Sequence, residues 1–133
     1  MVDCPAYPFS EAEPREKRVT DATTTVAELK KLVDDFVAER DWERFHDPKN
    51  LAASIAIEAA ELMEHFQWLR SDQLADLKGD SEAMAQVEEE MEDVFCYVLA
   101  FAGEMGIDLC ASLDSKMVKN RKKYPAERFK GRF

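Results

Sequence analysis

The run SEAMAQVEEEMEDVFCYVLAFAGEM, residues 81–105, constrains the fold of this chain more than any other stretch. Met84, Val87, Met91, Val94, Val98 and Met105 recur at helical intervals with no proline to interrupt them. That spacing puts them on one face of a long α-helix, with Ser81 as its expected cap and Gly106 as its stop. Glu90, Asp93 and Tyr97 form a second strip alongside, at i, i+3 and i+7. Glu88, Glu89 and Glu92 point away and read as solvated surface. Past Val94 the helix is apolar nearly all round, so in so short a chain it needs cover on more than one side. A second subunit is the expected cover.

The rest of the chain follows the same helical grammar. Thr24 or Thr25 is placed to cap a helix, with Glu28 completing a capping box. Val26, Leu29, Val33, Phe36 and Val37 then share one helical face. WERFHDPKN breaks the pattern and reads as a connector. Asp47 and Pro48 look like the cap and first residue of a second helix running to about Leu69. A short helix is expected over SDQLADLK, ended by Gly79, and a last one from about Asp108 to Lys123, before Pro125. The following AERFKGRF reads as basic and irregular. With only 4 Gly and 5 Pro and no credible strand, the expected fold is all-α. The expected architecture is a bundle of four main helices plus a short one, assembling into a helical homo-oligomer. Residues 1–22 mix prolines and charges without periodicity and read as a flexible tail. The domain is expected over 23–128, with 129–133 as a C-terminal tail.

Two positions on the second helix resist the core reading. Leu51, Ile55, Glu58, Leu62, Phe66 and Leu69 fall in one narrow stripe with Glu58 near its centre, and Glu61 lies beside it. An unpaired carboxylate toward a buried face costs several kcal/mol. Glu58/Glu61 and Glu90/Asp93 are thus two acidic i, i+3 pairs, each at or beside a buried face. Four such groups brought together repel unless cations lie among them, and carboxylate oxygens suit hard ions such as Mg²⁺. The alternative is that each pair merely tops a packed helix, held by Lys or Arg. Glu64 reads as surface and His65 as a packing or surface residue.

Charge sets the outer bounds. A net charge of −10 argues against a nucleic-acid polymer or an anionic membrane as partner. No run approaches a membrane span, and the N-terminus has no apolar signal core. The cysteines Cys4, Cys96 and Cys110 are odd in number and lack CxxC spacing; Cys96 is expected as a buried reduced thiol. The expected location is cytoplasmic.

The pattern Glu58-Ala-Ala-Glu61, then FQW, then Glu90-Met-Glu-Asp93 resembles the MazG-like all-α nucleoside triphosphate pyrophosphohydrolases. The likeness extends over about 25–128, and RDWERFHDPKNLA and KNRKKYP look like the dCTP pyrophosphatase branch. The resemblance implies Mg²⁺, with Mn²⁺ as a substitute, held by Glu58, Glu61, Glu90 and Asp93. It implies hydrolysis of a (d)NTP, dCTP or a modified dCTP, between the α and β phosphates, and a homotetramer whose sites draw on more than one chain. Asn120 and Lys123 match the family's phosphate-contacting positions, although cations at a helix C-terminus also favour the dipole, which suffices for Lys116 and Lys119. Ala59-Ala60 departs from a pattern that often has Gly between the two glutamates, which leaves substrate choice open.

Glu61 is a candidate both for the base that activates the attacking water and for a metal ligand, and the spacing does not separate the two roles. Trp42, Phe45, His46, Trp68 and Tyr97 are candidates for stacking on a nucleobase, set against ordinary core packing. Two other classes compete. A di-iron carboxylate bundle needs Glu-x-x-His on two helices, and Glu43-Arg-Phe-His46 occurs once, in a connector. A non-enzymatic acidic oligomerisation module would tolerate Glu58→Gln.

Overall fold

The computed structural model describes residues 19–132 and, among them, holds six α-helices and no strand. They are α1 (Val26–Ala38), α2 (Pro48–Glu64), α3 (Leu74–Gly79), α4 (Ser81–Glu104), α5 (Leu109–Lys123) and α6 (Ala126–Phe129). Single 3₁₀ turns at Glu43–Phe45 and Ser71–Gln73 lie between them. The expectations for residues 1–18, including Cys4, lie outside the described residues.

Helix starts follow side-chain chemistry closely. Thr25 Oγ1 accepts the Glu28 amide at 3.2 Å while Glu28 accepts the Thr25 amide at 2.7 Å, a reciprocal capping box. Just before it, Thr20 and Thr23 share a 2.8 Å hydroxyl contact, so an ordered turn leads into α1. Asp47 accepts the Asn50 amide ahead of Pro48, and Asp108 accepts the Ala111 amide at the start of α5. At α4 the cap is Asp80 rather than Ser81. Its carboxylate takes the amides of Glu82 and Ala83, leaving Ser81 as the first helical residue.

Two boundaries correct the sequence reading. α2 stops at Glu64 instead of reaching Leu69, because the Met63 carbonyl accepts both the Phe66 and Gln67 amides and closes the helix as a tight turn. Residues 126–129 are helical rather than irregular. Pro125 supplies the start, and Tyr124 and Phe129 meet edge-to-face with centroids 5.4 Å apart.

α2 packs along α4, and α1 and α3 pack on other parts of α4, so the long helix is the spine. Lys30 Nζ donates to the Ile107 carbonyl at 2.6 Å, tying α1 to the turn after α4. Gly106, with φ +64°, makes that turn, from which α5 leaves at 100° to α4. α5 makes no extended contact with α1–α4. The core is correspondingly thin: Val37, Leu51, Leu99, Ala100 and Ala102 are its buried apolar residues. Phe95 and Met91 on α4, Met105 just past its end, Ile57 and Met63 on α2, and Leu113, Met117 and Val118 on α5 remain exposed.

Candidate active site

The α2–α4 contact sets the central feature. Glu58 lies on the packed stripe of α2, between Leu51, Ile55 and Leu62, and is half-buried where α2 meets α4. Across the interface, Glu90 and Asp93 sit one turn apart on α4. Glu58, Glu90 and Asp93 each bring one carboxylate oxygen within 4.8 Å of the other two. Glu61 is exposed, one turn beyond Glu58, and its carboxylate is not part of that close trio. It nevertheless acts on the same group. Burial first, then the charges of Glu61, Asp93 and Glu90, push the Glu58 carboxyl above its ordinary value of 4.5. No histidine joins the trio, which leaves the di-iron reading without its nitrogen ligands.

The donor set fits a divalent cation. Three carboxylate oxygens that already lie within 4.8 Å of one another would be able to share one divalent cation. All three groups offer hard carboxylate oxygens, which suits a hard divalent cation over softer metals. The repulsion that raises Glu58 is the force such a cation relieves.

A cleft of about 390 Å³ opens beside the trio, between α1 and α4, with Asp93 on its wall. Its shape follows from the α1–α2 connector. Asp41 adopts φ +55°, which Asp tolerates better than most residues, and turns the chain so that the Trp42 amide donates to the Val37 carbonyl at 3.1 Å. Trp42 then meets Phe36 edge-to-face at 6.0 Å, while the Arg40 guanidinium lies 3.6 Å from the Phe36 ring centroid. Trp42 and His46 close the cleft from the connector, and Tyr97 and Asp93 line it from α4.

Of the five aromatic candidates, Trp42, His46 and Tyr97 therefore share one cleft. Phe45 and Trp68 do not line it. Phe45 is exposed under the Arg44 guanidinium. Trp68 is 86% exposed because α2 ends four residues earlier, which removes it from the helical face where the periodicity placed it. Asn120 is half-buried and Lys123 exposed in the last turn of α5, where the Lys123 ammonium lies 5.0 Å from the Tyr124 ring. Since α5 diverges from the bundle, packing within one chain does not hold either of them against the carboxylates.

Sequence reasoning missed Leu32, Phe36, Cys96 and Ala100 as cleft walls. Phe36 was legible as a core residue but not as a lining one, because a helical stripe does not say what leaves a gap beside it. Cys96 is a correction: it is exposed to the cleft rather than buried. α2 covers a different side of α4, while partial burial and the nearby charges of Asp93 and Glu92 raise its thiol pKa.

The chain is thus all-α, with a trio of carboxylates at the edge of an aromatic cleft. The MazG-like family model matches residues 53–132, and the chain belongs to that family. It is 36% identical over 107 residues to dCTP pyrophosphatase 1 of Rattus norvegicus, covering 80% of this chain and 63% of the relative. It is 38% identical over 102 residues to dCTP pyrophosphatase 1 of Homo sapiens, covering 77% of this chain and 60% of the relative. The match thus spans less than two thirds of these relatives' length. The crystal structure of a pyrophosphatase from Archaeoglobus fulgidus superimposes with a TM-score of 0.70 at 38% identity, covering 81% of this chain and 99% of that one.

Proposed function

We propose that the protein is a divalent-metal-dependent nucleoside triphosphate pyrophosphohydrolase that cleaves dCTP, or a modified dCTP, between the α and β phosphates. The observation that carries the reading is the meeting of Glu58, Glu90 and Asp93 at the edge of a cleft walled by Trp42, His46 and Tyr97. The names of the relatives support both the reaction class and cytosine as the base.

Held by the three carboxylates, Mg²⁺ would offset the charge of the triphosphate and polarise the reacting phosphorus. Glu58, with its stripe neighbours fixed against α4, holds its oxygen in place. Asp93 joins the carboxylates to the cleft, so it aligns phosphates with base. Glu61 is exposed and close enough to act on Glu58, which suits it to accept a proton from the attacking water. Trp42 and Tyr97 offer ring faces to a planar base, each such stack being worth about 1–3 kcal/mol. Asn120 and Lys123 would contact phosphate from a neighbouring subunit's α5, since their own α5 leads away. A homotetramer, as the family resemblance implies, would also cover the exposed apolar residues of α2, α4 and α5. A cytoplasmic location and nucleotide-pool clearing complete the reading.

The test is a panel of nucleoside triphosphates with Mg²⁺, scored for pyrophosphate and monophosphate together. dCTP or a modified dCTP is expected to lead, with Glu61→Ala and Asp93→Ala lowering turnover by about 100-fold or more. Silence across the panel, or full activity in both variants, would overturn the proposal.

A further inference from the structure

On α4, Cys96 and Ala100 follow Asp93 at i+3 and i+7, so they extend from the carboxylate along one line of the helix. Phe36 and Val37 stand on the α1 wall. Both helices are regular, and α1 is tied to the end of α4 by the 2.6 Å bond from Lys30 to the Ile107 carbonyl. The two walls are thus joined beside the cleft, and the side chains at 96 and 100 contribute to its width. At about 390 Å³, the space lies near the lower end of the ~300–1,000 Å³ found for ligand clefts. Added bulk would be felt there.

We infer that Cys96 and Ala100 set the largest ring substituent the nucleobase can carry. This rests on the reading of the carboxylates as the phosphate end and the cleft as the base end of one site. With the phosphates at Asp93, a base entering the cleft runs along the line of Cys96 and Ala100. A substituent on its far edge meets those two side chains. The two positions differ in one useful way. Ala100 is buried, so a larger residue there also overpacks the core beside Val37. Cys96 opens to the cleft, so a larger residue there narrows the space and leaves the core intact.

Relative kcat/KM on dCTP, 5-methyl-dCTP and 5-propynyl-dCTP tests this in the wild type, Cys96→Ala and Cys96→Leu. Cys96→Ala removes the sulfur and cannot narrow the cleft, so it is expected to turn over the propynyl nucleotide, relative to dCTP, at least as well as the wild type. Cys96→Leu is expected to lose about 10-fold or more on the propynyl nucleotide relative to dCTP, chiefly through KM. A readout without turnover accompanies it: iodoacetamide labelling of the Cys96 peptide, with and without α,β-methylene-dCTP and Mg²⁺. Saturating nucleotide is expected to slow labelling about tenfold. Unchanged labelling, or wild-type ratios in Cys96→Leu while dCTP still turns over, would overturn this inference and leave the proposed activity standing. Absence of pyrophosphate release by the wild type would remove both.

Discussion

At the scale of single residues, Glu58 is the informative anomaly. Its place in an apolar stripe was legible from spacing alone, and so was the presence of a second acidic pair on the long helix. That Glu58 meets Glu90 and Asp93 while Glu61 stands outside the close trio was not legible, since i, i+3 spacing gives a shared side of one helix and no distance to another. The raised Glu58 carboxyl has a consequence of definite sign. Above pH 4.5 the native state binds more protons at this position than the unfolded chain, so its contribution to stability is present at low pH and falls as pH rises through the raised value. Glu58→Gln is therefore expected to raise the metal-free melting temperature at pH 7 and to flatten that pH dependence. The same substitution should abolish stabilisation by Mg²⁺ and lower pyrophosphate release by about 100-fold. Thermal melts with Mg²⁺ or EDTA across pH 4–8 check it, and a lower metal-free melting temperature in Glu58→Gln would refute it.

Among the elements, helix starts were read more accurately than helix ends. Caps are local: Thr25, Asp47 and Asp108 each satisfy an amide three residues ahead, so composition names them. The end of α2 has no glycine and no basic residue in its last turn, hence no sequence signal, and the apolar spacing continued through FQW past the true stop. Trp68 left the candidate cleft for that reason. The connector behaved oppositely: Trp42 and His46 were candidates as rings able to stack on a base, in a segment that breaks the helical pattern, and a single left-handed residue, Asp41, lies at the turn that leads them to the α1–α4 cleft. The capping box should matter to the cleft as well as to stability, because α1 is one of its walls. Thr25→Ala is expected to cost about 1 kcal/mol, measured by urea denaturation, with Thr25→Ser keeping most of the loss at bay. An unchanged transition midpoint would count against the box.

For the whole molecule, the decisive feature is how little one chain buries. Full burial of a leucine-sized side chain contributes about 1.5–3 kcal/mol, and only two leucines, one valine and two alanines are buried among the described residues. A chain with so thin a core and so many exposed apolar side chains on α2, α4 and α5 is expected to require its own copies for stability. Sedimentation should give a tetramer at micromolar concentration, and the melting temperature should rise with protein concentration. A monomer with a concentration-independent melt would refute this.

The amino-acid order alone determined the all-α class, the starts of α1, α2 and α5 and the two acidic pairs, because hydrophobic period and capping act within a few residues. It did not determine that three acids meet while the fourth stands apart, that Cys96 faces a cleft, or that α5 turns away from the bundle. Those depend on how α1 and α2 settle on α4. Helix packing is chosen by side-chain volumes and tight turns far apart in the chain, and no local pattern encodes it.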